Sequence, residues 1–250
     1  MHCITSRNAA RASFIALMTL AARPAFAQSA DRTSPEGSTE APPPRTGFQL
    51  ALRTGVALSM GTAFGPTAGA PSTGMHEFVP VQVPLVADVG YKLTPNLFVG
   101  AYGGIAVGGG GDVFGCGQGD VSCTSLSLRG GLLAQYHFLP DRKVDPWIGY
   151  GIGYEHTGVT PSNPPSYSVG GTFSLAGWDY AHLMAGADFR LGTLLGVGPF
   201  ADFSLGRYTV SSTSGDAVNM PIGWTETSAD LPSTALHEWL MLGVRGTLFP

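Results

Sequence analysis

The sequence predicts an all-β fold, an eight-stranded antiparallel up-and-down transmembrane β-barrel. Three observations predict it: sustained period-two alternation, low charge, and connections that alternate between long and short. The alternation is clearest from Val79 to Val107, two arms joined by the turn Thr94-Pro95-Asn96. In the first arm Val79, Val81, Val83, Leu85, Ala87, Val89 and Tyr91 share one face and Gln82, Asp88 and Lys92 the other, which is the strand signature. In the second, Leu97, Val99, Ala101, Ile105 and Val107 oppose the smaller Gly100, Tyr102, Gly104 and Ala106 face. Each arm exceeds the roughly 5 to 6 residues of an ordinary strand and reaches the ~9 to 11 that a tilted strand needs to cross a bilayer.

Charged residues make up 12% of the 250-residue chain, about half the share found in soluble domains, while 44% is hydrophobic. No run approaches 18 consecutive apolar residues, so any membrane span must be made of strands. Residues 1–27 read as a secretory signal. Arg7 and Arg11 form its basic end, Ala12 to Ala22 its apolar core and Ala25-Phe26-Ala27 a small-residue cleavage site. Cleavage takes Arg7, Arg11 and Arg23 from 13 basic residues and nothing from 17 acidic ones, leaving 10 minus 17, or −7. A nucleic-acid partner is not expected on that balance. Cleavage also removes Cys3 and leaves Cys116 and Cys123 as an even pair in an oxidising compartment, which predicts a disulfide. A metal site on that pair would need a second pair or a nearby His, and neither is present.

Residues 28–46, rich in Ser, Thr and Pro and without apolar periodicity, predict a disordered lead-in. The barrel is expected over residues 47–250. Its first strand alternates Phe48, Leu50, Leu52, Val56, Leu58 and Met60 against Gln49, Arg53 and Ser59, and the second and third are the two arms above. The fourth sets Leu126, Leu128, Leu132, Ala134, Tyr136 and Phe138 against Ser127, Arg129, Gln135 and His137. The fifth sets Ile148, Tyr150, Ile152 and Tyr154 against three glycines and Glu155. The sixth is clearest from Tyr180 to Leu191, the seventh puts Val197, Ala201, Phe203 and Leu205 opposite Asp202 and Ser204, and the eighth runs through Leu240, Leu242, Val244 and Leu248. Pro80 and Pro84 in the second strand cannot donate to a ladder, so Pro80 is expected above the membrane and Pro84 at a bulge.

Loops are long after the odd strands and short after the even ones, which orients an outer-membrane barrel with its long loops outside. The long loops carry no Lys or Arg, whereas Lys92, Arg142 and Lys143 lie at short turns. Tyr91, Tyr136, Phe138 and Phe189 at one end and Tyr154 and Phe173 at the other are expected to form aromatic girdles.

With eight strands in place, residues 47–250 resemble the small eight-stranded outer-membrane barrels, the outer-membrane protein A-like and W-like families. The most specific piece is Leu240-Met241-Leu242-Gly243-Val244-Arg245-Gly246-Thr247-Leu248-Phe249, similar to the family's alternating, aromatic-ended insertion signal. Phe249 is followed by Pro250, and Leu248 rather than Phe249 shares the lipid-facing parity. The resemblance implies residence in a Gram-negative outer membrane, contact with lipid and lipopolysaccharide, handling by the barrel insertion machinery, and a monomer.

Chemistry-bearing residues fall into two groups. Inward charges are expected to pair by height: Arg53 with Asp88, Arg129 with Glu155, and Asp202 with Arg245, while Asp188 and Arg190 add one charge of each sign. Four Arg against four acids suits a packed, neutral interior. The second group, His76-Glu77, Glu155-His156, Asp179 with His182, and His237-Glu238, maps to the outer ends of the strands. Such a rim offers metal ligands or a general base, but no Ser motif accompanies it, so solvated rim residues without catalysis, metal or cofactor are expected. Gly103-Gly104 and Gly108 to Gly111 lack the helix and the Lys-Ser/Thr of a phosphate loop. A soluble ligand-binding barrel would place its apolar face inside, the reverse of this pattern. The reading is a non-enzymatic envelope protein with a plugged lumen. The alternatives are a lipid A-modifying barrel enzyme and a minor channel for small apolar solutes.

Overall fold

The computed structural model describes residues 46–66, 71–113, 116, 121–162, 171–215 and 225–249. The expected signal segment and all of the lead-in except Thr46 lie outside them.

Eight long strands follow one another around a closed antiparallel ring: β1 (Gly47–Phe64), β3 (Val81–Lys92), β4 (Leu97–Gly109), β5 (Ser122–His137), β6 (Val144–Ser162), β7 (Gly171–Leu191), β8 (Leu195–Gly215) and β10 (Leu236–Leu248). Pairing of β10 with both β1 and β8 closes the ring. Closure removes the free edge that an open sheet of this width would expose. Two further strands lie off the ring: β2 (Thr73–Gly74) against β1, and β9 (Thr225–Asp230) against the loop-side end of β8.

Burial is reversed relative to a soluble barrel. Leu52, Leu85, Leu132, Ile148, Leu183 and Val244 are exposed on the outer face, whereas Arg53, Asp88, Glu155, Asp188 and Arg245 are buried inside. The alternating pattern assigns each strand this polarity, and an apolar exterior of this kind is stable only against lipid. Tyr91, Tyr136, Phe138 and Phe189 are exposed near the short turns, and Tyr154 packs edge-on against Trp178 nearer the long loops. Phe173 is a correction. Instead of facing outward it packs 5.8 Å from Phe78 and 6.4 Å from Phe64, because a register shift between Asp179 and Ala181 breaks the parity of β7.

The bulge expected at Pro84 is also absent. Residues 81–92 keep one register with β1 and one with β4, and Pro84 sits opposite Ala106. The missing donor is absorbed by a gap in the β1 ladder at Gly55 and Val56, beside which the Thr54 hydroxyl donates to the Pro84 carbonyl at 2.9 Å. Val79 and Pro80 precede β3, as expected for a proline kept out of the ladder. Just before them α1 (Met75–Phe78) turns Met75 and Phe78 into an apolar cluster with Ala63, Val79, Val159 and Leu175. Cys116 and Cys123 form a disulfide with Cα atoms 5.5 Å apart, and both belong to this lid over the long-loop end.

Candidate functional site: the barrel interior

The interior is built in layers from inward positions on all eight ring strands. At the short-turn end Phe249 is turned inward beneath two cations, with the Arg190 guanidinium 4.4 Å and the Lys92 ammonium 5.6 Å from its ring centre. Arg190 also donates to the Pro140 carbonyl. Above them Asp145 bonds His137 Nδ1 at 2.8 Å and accepts the Leu139 amide at 3.2 Å. Arg245 stacks over Trp147 at 4.3 Å, donates to Gln135 Oε1 at 2.7 Å and lies 3.6 Å from Asp188.

In the next layer Arg53 binds Asp88 through Nη2 and Asp202 through Nη1, both at 2.8 Å. Asp202 lies 3.3 Å from His182 Nδ1, and Asp179 lies 3.1 Å from His182 Nε2. An imidazole with a carboxylate at each nitrogen satisfies both only as the imidazolium, which donates from both.

Nearer the long loops Glu155 is a hub. Its Oε1 accepts hydrogen bonds from Thr157 (2.6 Å), Tyr208 (2.6 Å) and Trp239 Nε1 (3.1 Å). Its Oε2 faces Arg129 Nη2 at 3.1 Å and His237 Nε2 at 3.6 Å. Arg129 in turn lies 4.7 Å over Trp239. Between hub and lid, Gln82 bonds Ser125 and Ser127, and Ser127 bonds Thr157.

Many of these links join strands that are not neighbours: Arg53 on β1 to Asp202 on β8, Gln135 on β5 to Arg245 on β10, Glu155 on β6 to Tyr208 on β8 and Trp239 on β10. Such bonds necessarily cross the lumen. A small cavity remains between layers and is walled by the same groups, including Arg53, Arg129, His182 and Trp239.

No protein-family profile matches the sequence, and no curated protein matches it. Among solved structures the chain is similar to the outer membrane protein OprG from Pseudomonas aeruginosa, at 14% identity and TM-score 0.47, over 82% of this chain and 98% of that one. It is similar to the outer membrane protein AlkL, solved in lipid bilayers, at 15% identity and TM-score 0.47, over 90% and 97%. Neisserial surface protein A gives 12% identity and TM-score 0.41, over 82% and 99%. The chain is thus similar to small outer-membrane barrel proteins. Its fold assignment rests on its own closed strand order, since all three scores are below 0.5.

The structure places Arg53 beside Asp88 and Arg129 opposite Glu155. It separates Asp202 from Arg245. Asp202 is level with Met241 and reaches Arg53, whereas Arg245 is level with Gly198 and turns to Asp188. The stagger of barrel strands makes height counted from turns drift by several residues. The four-against-four balance is corrected as well. Six acids (Asp88, Asp145, Glu155, Asp179, Asp188, Asp202) face five cations (Arg53, Lys92, Arg129, Arg190, Arg245) among the described residues, and His182 stands between two of those acids.

The expected rim does not form one ring. His156 and His76 are exposed, and Glu77 bonds the Gly74 amide beside α1. Glu238 is half-buried, alternating away from its buried neighbours His237 and Trp239. Asp179, His182 and His237 are buried inside the lumen, because β6, β7 and β8 continue well beyond them. Tyr208, Trp239, Thr157 and Asp145 were not anticipated as interior polar groups. Carrying the alternation of Asp202 and Ser204 on to Tyr208, and of Met241 back to Trp239 and His237, would have found three of the inward positions.

Proposed function

We propose that the chain is an integral outer-membrane barrel with a structural or surface role in the envelope, its lumen closed by ion pairs. The observation that carries this reading is the set of bonds joining non-adjacent strands across the interior, above all Arg53 to Asp202 and Glu155 to Trp239. Eight strands enclose a space just wide enough for side chains to fill. Here those side chains are charged, aromatic and mutually paired. The apolar outer belt supports contact with lipid and lipopolysaccharide, and with Phe249 turned inward Leu248 is the last lipid-facing residue among those described.

A non-enzymatic role is supported by where the His and acid groups lie. An enzyme acting on membrane lipid needs its base on a surface that lipid reaches. Asp179, His182, His237 and Glu155 are sealed within the barrel, while the exposed His156 lies between Leu128 and Ala176 across its two neighbouring strands. The test is liposome swelling. Vesicles carrying the refolded protein should swell in isotonic small sugars no faster than protein-free vesicles, and swelling at porin-like rates would rule out the closed reading.

A further inference from the structure

We propose that Glu155, Asp179 and His237 form a binding site for a divalent transition ion of the zinc class inside the barrel. Among the described residues these three offer ligand atoms within 4.8 Å of one another, and all three are buried. The acids alone would carry no such inference. What points to a ligand is that Asp179 Oδ1 is buried without a hydrogen-bond partner and that His237 Nε2 has only Glu155 Oε2 facing it, at 3.6 Å. The chain also leaves room there. A Cβ at Gly206 would stand 2.6 Å from Asp179 Oδ1 and 2.8 Å from His237 Nε2, so any larger residue would intrude where these atoms converge.

Each ligand is already oriented by its neighbours, as metal ligands generally are. Hydrogen bonds from Thr157, Tyr208 and Trp239 hold Oε1 of Glu155 and leave Oε2 facing inward. His182 holds Oδ2 of Asp179 and leaves Oδ1 free. The His237 ring stacks on Tyr208 with centroids 3.9 Å apart and planes 8° from parallel, which fixes its plane while Nδ1 stays without a partner. One imidazole and two carboxylates suit zinc or cobalt better than calcium or magnesium, which prefer all-oxygen shells. With bonds of about 2.1 Å, closing on the ion requires side-chain shifts under about 1 Å.

Arg129 competes for the site, because its guanidinium lies 3.1 Å from Glu155 Oε2. Its remaining contacts, Ser204 and the Trp239 ring, give it somewhere to go. Removing that cation should therefore tighten metal binding even where it lowers stability.

The experiment uses the full mature chain refolded in detergent with Co²⁺ supplied during refolding, since the interior is closed once folded. Unboiled gel mobility serves as the folding control. One bound cobalt per chain with visible d–d absorption, displaced by Zn²⁺, is expected. Asp179→Asn, His237→Gln and Gly206→Ala should each abolish the absorption, Tyr208→Phe should weaken binding by roughly 10- to 100-fold as loss of an orienting partner does, and Arg129→Ala should strengthen it. Absence of stoichiometric cobalt in folded wild-type protein, or cobalt absorption that persists in folded His237→Gln, would overturn the proposal, assigning the buried atoms to water and any persisting cobalt to surface histidines.

Discussion

Arg53 and Arg245 stand directly opposite one another on β1 and β10, two buried cations at one cross-strand position, and they turn to different acids. Like charges so placed repel. Arg53 takes Asp88 and Asp202, while Arg245 takes Asp188, Gln135 and the face of Trp147. Asp145 and Asp188 repeat the arrangement with the opposite sign on β6 and β7, Asp145 bonding His137 and Asp188 facing Arg245. Part of the compensation comes from across the lumen, in Arg53–Asp202 and Arg245–Asp188, so these interior charges tie non-adjacent strands together.

Arg53→Met should therefore be costly on its own, because it strands Asp88 and leaves Asp202 with His182 alone. A loss of about 3 to 5 kcal/mol is expected for breaking such a buried pair. The triple change that adds Asp88→Asn and Asp202→Asn should recover most of it, since neither side chain is then a carboxylate deprived of Arg53, and His182 keeps Asp179. Urea unfolding monitored by Trp fluorescence measures both, and equal loss in the single and triple variants would contradict the pairing.

Glu155→Ala should cost more than Arg129→Ala. The carboxylate serves Thr157, Tyr208, Trp239 and Arg129 at once, and when Arg129 is gone it keeps the first three. The double variant should cost less than the sum of the two, by the 0.5 to 3 kcal/mol or so typical of groups in contact. Strict additivity in the same unfolding assay counts against the hub.

Strands and their polarity were legible because period two is read within a single segment. Leu52 against Arg53, or Leu128 against Arg129, needs no knowledge of neighbours. The Arg129–Glu155 pairing was legible for a related reason, since both lie on strands joined by a short turn that fixes their register. Contacts across the lumen were not, because they depend on stagger summed around the ring; this is why height counted from the turns pairs Asp202 with Arg245. Asp179 and His182 share the inward side at a separation of three only because β7 shifts register between Asp179 and Ala181, which no alternation pattern encodes. The lid was illegible too, as α1 is a single turn inside a loop of Gly, Pro and Thr.

The Cys116–Cys123 bridge closes a short loop, with a sequence separation of 7. Reducing it should cost less than the ~3 kcal/mol of a 15-residue loop. Its position in the lid predicts faster proteolysis between residues 110 and 122 after reduction, with the ring strands intact. Thiol titration of denatured, unreduced mature protein should find no free thiol, and two would remove the claim.

Orientation follows from loop length and can be read on whole cells. Thr234→Cys, at the exposed long-loop end of β10, should react with an impermeant maleimide. Asp141→Cys, in the short turn between β5 and β6, should react only after the outer membrane is permeabilised. Reversed labelling would invert the topology.

The closed lumen is tested most directly by planar-bilayer recording of the refolded wild-type barrel. With Arg53 bridging β1 to β8 and Glu155 bridging β6 to β10, the membrane should show no large, stable single-channel currents in symmetrical salt. Replacing Glu155 and Arg53 together by Ala should increase the frequency of openings. Large, stable wild-type currents would contradict the account, because continuous water cannot pass an interior in which these bonds persist.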